Sequence, residues 1–299
     1  MRGILMPGIR SMPRRAVILL LVASAPRQSH ACCKAQFIEK FNLKTTAFAI
    51  NGTGISVDNA RRAHILTAMS FVPKSLYGDP NALRLEFGVR NGHMINFMAS
   101  RPVPLEVSVG IAAGSVVDDT VRNPSGYTVP PSAASLSWDG FDSFQGLPKS
   151  TLNAARLGWG AHKYSVKGQL PTVPPHVHLH VGWFNDTLPP FLESTRGAGP
   201  VAFAHLDADI YTSTITVLDA LAARCRLRVG SVLAFDEIFG PPRIHEEELR
   251  ALQEATAKYG LSWRFITYLN HMRSNFGRAA IQIVKPPLCA SPQYKAVLL

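Results

Sequence analysis

The sequence predicts an α/β fold built on a mostly parallel sheet, and two observations carry that expectation. Between Val201 and Glu237, the apolar runs VAFAHL and SVLAF are separated by one helix-length connection. That is the pattern of parallel strands joined by a crossover helix. Both runs also end in acids, Asp207 and Asp209 after the first, Asp236 and Glu237 after the second. In an open α/β sheet, residues just past the carboxyl ends of strands line the ligand crevice. Carboxylates crowded there repel one another unless a cation or a proton lies among them.

The remaining elements follow in order. Asp58 to Ser70 (DNARRAHILTAMS) reads as a helix with Asp58 as its N-cap. Ala82–Val89 (ALRLEFGV) reads as the first strand of the main sheet, running into Gly88 and Gly92, and His93–Ala99 opens a helix. The region 100–137 is rich in Pro, Ser, Gly and Val and has no sustained period. It exceeds ordinary α/β connections and reads first as a poorly ordered surface insertion, ahead of a gene-model artefact and, last, a functional lid. Leu136–Phe144 (LSWDGFDSF) looks like a strand with its loop, and 172–183 contains another strand. The stretch GWFNDTLPPFL then reads as turn-rich. After the two strands described above, Glu246–Tyr259 is amphipathic and helical, and Ser262–Tyr268 with Arg278–Lys285 form a hairpin with a long loop.

Composition bounds the function. The chain has 299 residues, with 46% hydrophobic and 17% charged, enough for one large α/β domain or two small ones. No apolar stretch reaches the ~18 residues of a membrane-spanning helix. More than half of the +11 net charge comes from Arg2, Arg10, Arg14, Arg15, Arg27 and Lys34, all ahead of the first acid, Glu39. Arg14-Arg15 precede the apolar run Ala16–Ala25, and Ser29-His30-Ala31 offers a small-x-small cleavage site. Residues 1–34 therefore read as a leader for secretory or organellar targeting, or else as a disordered tail on a cytoplasmic protein, and 35–299 as one domain. No stripe of Lys/Arg interleaved with aromatics suggests nucleic acid. The four cysteines are too few for a disulfide framework and form no C-x-x-C pair.

Several groups carry candidate chemistry. Glu86-Phe-Gly88-Val-Arg-Asn-Gly92 ends the first strand, where glycines allow close backbone approach and the next helix presents free N–H groups. The acid ahead of the glycines suits a cationic ligand such as S-adenosylmethionine better than a pyrophosphate. Asp142, at the end of the second strand, suits either a ribose or an Asx-turn. Asp207, Asp236 and Glu237 form a hard-oxygen set suited to Mg²⁺, which lowers the pKa of a substrate hydroxyl. Asp209 reads instead as a helix cap. His176, His178 and His180 share one strand face, read as half-buried rather than as a zinc site, and His205 reads as a satisfied core histidine.

As a set, EFGVRNG (86–92), GFDSFQGLP (140–148), GWFNDTLP (182–189), AHLDADIYTST (204–214) and VGSVLAFDEIF (229–239) resemble the macrocin O-methyltransferase-like family of class I methyltransferases. The resemblance implies a Rossmann-like, mostly parallel seven-stranded sheet with helices on both faces and a C-terminal antiparallel strand. It implies Mg²⁺-assisted methyl transfer from S-adenosylmethionine to a hydroxyl of a small molecule or sugar. Glu86, Gly88 and Gly92 then fall beside the methionine part of the cofactor, and Asp142 and Ser143 at its ribose and nearby loop. Asp186 falls in a loop closing on the pocket. Asp207, Asp236 and Glu237 match the metal-binding acids, with Asp207 also the candidate base.

The implied partner is a small hydroxylated acceptor, and a homo-oligomer is compatible with the sequence. Two rivals share the sheet. One is a nicotinamide-dependent oxidoreductase, disfavoured because the first loop lacks G-x-G-x-x-G; the other is an inactive binding protein.

Overall fold

The computed structural model describes residues 30–50, 56–101, 136–149, 152–269 and 276–288. Helices α1 (His30–Lys40) and α2 (Leu43–Thr46) lead into a short strand, β1 (Phe48–Ile50). Helices α3 (Val57–Ser70) and α4 (Lys74–Tyr77) precede β2 (Leu83–Phe87), α5 (His93–Ala99) and β3 (Trp138–Asp142). Then come α6 (Leu152–Arg156), β4 (Val177–Val181), α7 (Phe184–Glu193), β5 (Val201–Leu206) and α8 (Tyr211–Ala223). The chain continues through β6 (Val232–Phe239), α9 (Glu248–Tyr259), β7 (Ser262–Leu269) and β8 (Gly277–Lys285).

The strands form one sheet in the order β1-β7-β8-β6-β5-β2-β3-β4. All pairings are parallel except those of β8 with β6 and β7. Seven of these strands make the doubly wound sheet with a reversed strand that the sequence led us to expect. The eighth, β1, adds at one edge; its three residues are too few to show a period. Every residue of β5 and β6 is buried. Both faces of the sheet are covered, so these strands read as continuous apolar runs rather than alternating ones. Helices α1, α7, α8 and α9 close one face, and α3, α4 and α5 the other.

Helix α1 runs through residue 34, the expected end of the leader, and sets Phe37 and Ile38 into the core. Phe37 stacks on Phe239 at 4.6 Å between ring centroids. Residues 1–29, and 102–135 of the expected insertion, lie outside the described residues. Cys225 is disulfide-bonded.

Three local expectations change. The α3 cap is Ser56, whose hydroxyl accepts from Asn59 N at 3.2 Å; Asp58 lies inside the first turn, where its charge faces the positive helix end. The segment read as turn-rich is helix α7, despite Pro189 and Pro190 inside it. Burial of Leu188, Phe191 and Leu192 against the sheet outweighs the lost N–H groups, because packing stabilises a short helix more than propensity does. Asp209 does not cap α8. Tyr211 N donates to Glu247 Oε2 at 2.6 Å instead, and Asp209 sits in the left-handed region with φ 59°.

Gly88 is the backbone position with least tolerance at the sheet's carboxyl edge. Its φ is +96°, and a Cβ there would lie 1.9 Å from Asp207 O. Gly158 has a similar φ of +83° with nothing within 4 Å. We predict that Gly88→Ala destabilises the protein by about 3 kcal/mol or more, through strain and overpacking together. Gly158→Ala, with backbone strain alone, costs about 1–2 kcal/mol. Equal shifts of the two urea-unfolding midpoints would contradict this.

Candidate active site

Strand pairing lines up residues that are remote in sequence. Phe87 pairs with Phe141 on one side and Leu206 on the other, and Leu206 pairs with Phe235. The residues that follow these four, Gly88, Asp142, Asp207 and Asp236, therefore stand side by side at the carboxyl edge. Strand β8 runs the opposite way, and the pairing of Phe235 with Ala279 brings Arg278 beside Asp236. One step back, Glu86 pairs with His205. Because side chains alternate between faces, Glu86, His205 and Asp236 all turn towards α3, away from the layer of Phe87, Leu206 and Phe235.

These groups form a continuous charged network. Arg278 clamps Asp236 with both arms, Nε to Oδ1 at 2.7 Å and Nη2 to Oδ2 at 3.0 Å. Arg61, from α3, donates through Nη2 to Asp207 Oδ2, and its Nε lies 2.8 Å from Asp236 Oδ1. His205 Nδ1 is 3.0 Å from Glu86 Oε1, and its Nε2 is 3.8 Å from Asp236 Oδ1. Asp207, Asp236 and Glu237 each offer an oxygen within 4.8 Å of the others. Glu237 N donates to Glu248 Oε2 at 3.1 Å, a partner outside the sheet.

The electrostatics follow from this packing. Burial alone would raise Asp236, but the Arg278 and Arg61 guanidiniums hold its carboxyl well below the usual range. Burial pushes Glu237, Asp209 and Glu248 well up, and repulsion from the neighbouring carboxylates adds to it. Burial opposes a charge on His205, yet Asp236 and Glu86 hold it protonated up to about 9. His64, on α3, has the opposite fate. Burial, reinforced by the Arg278 charge, pushes it down to about 3, and its Nε2 lies 3.0 Å from the Thr267 hydroxyl.

Two cavities meet at this edge. The larger, about 630 Å³, is bordered by Gly88, Asp142, Trp183, Phe184, Asp207 and Asp236, among others. Its size suits a small-molecule ligand, for which about 300–1,000 Å³ is usual. The smaller, about 190 Å³, is bordered by Asp58, Arg61, Arg62, Glu86, Gly88 and Asp207 among others.

The sequence-derived candidates divide accordingly. Gly88, Asp142, Ser143, Asp207, Asp236 and Glu237 all border the larger cavity, as does Asp209. Glu86 borders the smaller one, with Oε2 buried and unpartnered. Asp142 forms its Asx-turn, Oδ1 accepting from Phe144 N at 2.6 Å, while Oδ2 accepts from Arg90 N at 2.7 Å. It thus ties the first glycine loop to β3 while facing the cavity. Ser143 accepts from Gln145 N at 3.1 Å in the same loop.

Two candidates stand apart from both cavities. Gly92 (φ +77°) is the N-cap of α5 and packs against Pro171. Asp186 is not on a loop: it lies in the first turn of α7, exposed and accepting from Asn185 Nδ2 at 2.7 Å, while Trp183, Phe184 and Asn185 border the cavity. His176 and His180 go to separate partners, Ala99 O at 3.2 Å and Asp139 Oδ1 at 2.9 Å. His178 is exposed. Among the described residues, the three histidines form no metal site.

Sequence reasoning missed Arg61 and Arg278. Arg61, His64, Ile65 and Ala68 recur at helical spacing on one stripe, the last three buried. An arginine on an otherwise buried stripe signals a carboxylate partner. Arg278 opens the last strand and gave no comparable signal.

No protein-family model matches the chain, and no curated protein matches it. Among solved structures it is similar to CalS11, a calicheamicin methyltransferase, at 20% identity over 83% of this chain and 92% of that one, with a TM-score of 0.45. It is also similar to Aeropyrum pernix fibrillarin bound to S-adenosyl-L-methionine, at 12% identity over 72% of this chain and 76% of that one, TM-score 0.33. Podospora anserina methyltransferase PaMTH1 is 11% identical over 84% of this chain and 95% of that one, TM-score 0.34. At such identities a shared substrate does not follow.

Two outcomes are expected from the network. Arg278→Met leaves Asp236 short of a buried partner and costs about 3 kcal/mol, part of which returns in the Asp236→Leu/Arg278→Met pair. Urea unfolding of the single and double variants measures both. His64, depressed in the fold to about 3 from 6.5, stabilises above pH 6.5 and loses that contribution as the solution is acidified. His205 acts with the opposite sign, its contribution fading as pH rises towards about 9, so wild type must be compared with His64→Gln. Between pH 7.5 and 5.5 the difference in unfolding free energy between the two should move by about 1.4 kcal/mol in favour of the variant. A pH-independent difference would refute the buried neutral imidazole.

Proposed function

We propose that this chain is an S-adenosylmethionine-dependent methyltransferase. Within that class we read it as an O-methyltransferase of the macrocin O-methyltransferase-like kind, acting on a hydroxyl of a small molecule or sugar with Mg²⁺ assisting. The observation that carries the proposal is the row Gly88, Asp142, Asp207, Asp236, brought by strand register to one cavity of about 630 Å³.

The residues present suit the donor. Gly88, without a side chain, brings backbone to the border of both cavities, and Glu86 keeps one buried oxygen, Oε2, without a protein partner. An acid behind the glycine row suits an ammonium or sulfonium charge better than a phosphate. Asp142 is held rigid by two backbone N–H groups, with lone pairs left for ribose hydroxyls. Trp183 and Phe184 give the cavity an aromatic wall for a flat base. When bound, S-adenosylmethionine supplies a methyl on a positively charged sulfur, and the sulfur leaves as S-adenosylhomocysteine when a hydroxyl oxygen takes that methyl.

The acid set also suits a divalent ion. Its three donor oxygens converge within 4.8 Å, and Glu237 Oε2 is buried with no partner. Asp207, Asp236 and Glu237 would hold Mg²⁺, whose charge makes a nearby hydroxyl more acidic. Asp207, the most exposed of the three, is placed to accept the hydroxyl proton. Arg278 keeps Asp236 ionised and fixed in orientation, so the site is arranged before substrate arrives.

Calorimetry with S-adenosylmethionine, S-adenosylhomocysteine and NAD(H) tests the donor, and saturable binding of the first two is expected. Tight binding of NAD(H) alone would overturn the proposal in favour of an oxidoreductase. Asp207→Asn should lower methyl transfer to hydroxylated acceptors by about 10²–10⁴-fold while cofactor affinity changes little. Cofactor binding without turnover across a broad acceptor panel would mark a binding protein instead.

A further inference from the structure

Arg61 and a divalent ion make competing demands on the same carboxylates. The arginine already engages Asp207 Oδ2 and lies 2.8 Å from Asp236 Oδ1. Those two carboxylates supply two of the three donor oxygens in the acid set. A doubly charged ion held there would sit within a few ångströms of the guanidinium, and like charges at that range repel.

Arg278 is not in the same position. It approaches Asp236 from the neighbouring strand, where both partners are buried and its two hydrogen bonds fix it. Arg61 is carried by a helix, its side chain is 20% exposed, and it borders both cavities. The smaller cavity gives its head group space, together with the Asp58 carboxylate three residues earlier on α3. Residues at that spacing are neighbours on a helix surface.

We propose that Arg61 is a resident counter-cation of the acid set, which competes with the divalent ion for Asp207 and Asp236 and turns towards the smaller cavity when the ion binds. This rests on the metal-assisted reading above. In the ion's absence the arginine keeps the carboxylates from repelling one another; in its presence the arginine is free. By linkage, each weakens the other's hold on the carboxylates by the same factor.

The test uses the full chain and Mn²⁺ alone, with free Mn²⁺ followed by electron paramagnetic resonance. Arg61→Gln is expected to bind Mn²⁺ at least tenfold more tightly than wild type. Arg61→Lys, which keeps the charge, should stay near wild type. An Arg61→Gln affinity equal to or weaker than that of wild type, with wild type binding, overturns the competition and leaves the metal reading standing. Absence of Mn²⁺ binding in wild type and variants alike removes the metal reading, and the competition with it. A second measurement needs no variant: saturating Mn²⁺ should increase phenylglyoxal labelling of Arg61 in the wild-type chain, read by peptide mass spectrometry. Unchanged or reduced labelling counts against the proposal.

Discussion

Asp236 is a carboxylate near the middle of an eight-stranded sheet, and its neutralisation organises everything around it. An unpaired charge at that depth is costly enough that a protein normally protonates or pairs it. Here the pairing comes from three directions. Arg278 arrives on the one strand that runs against the others, Arg61 on a helix across the sheet face, and His205 from the adjacent strand. The reversed strand is therefore tied to the chemistry of the site: antiparallel pairing is what brings a guanidinium back to the carboxyl edge.

The same arrangement separates structural from chemical duties among the acids. Asp236 is ionised and immobile, and Glu86 is anchored through one oxygen to His205. Asp207, like Asp142, has partial access to solvent and borders the cavity. Glu237, Asp209 and Glu248, pushed up by burial and mutual repulsion, add negative charge most readily when a cation approaches. These six carboxylates can crowd together because only some need carry charge at once.

Packing around the site explains why the surrounding elements tolerate unfavourable local sequence. Helix α7 keeps two internal prolines because its apolar side chains complete the core beneath the cavity, and the same placement puts Trp183 and Phe184 on the cavity wall. Helix α8 starts without a cap of its own because Glu247, from the segment before α9, supplies the acceptor. Asp209 is thereby left at the cavity in a left-handed conformation.

Much was legible in the sequence. The apolar runs ending in acids determined two parallel strands and the meeting of Asp207 with Asp236, because side-chain period and a crossover leave little freedom in where strand ends lie. The glycine at 88 and the acid at 142 were legible for the same reason, each following directly on a strand. Tertiary structure alone decided the partners. Arg61 and Arg278 lie 175 and 42 residues from Asp236 by number, and nothing local tells an arginine which carboxylate it will meet. Asp209 likewise took a role set by neighbours in space. Strand order and register, which fix those neighbours, arise from contacts between distant segments, and a linear pattern carries the period of a strand without naming the strand beside it.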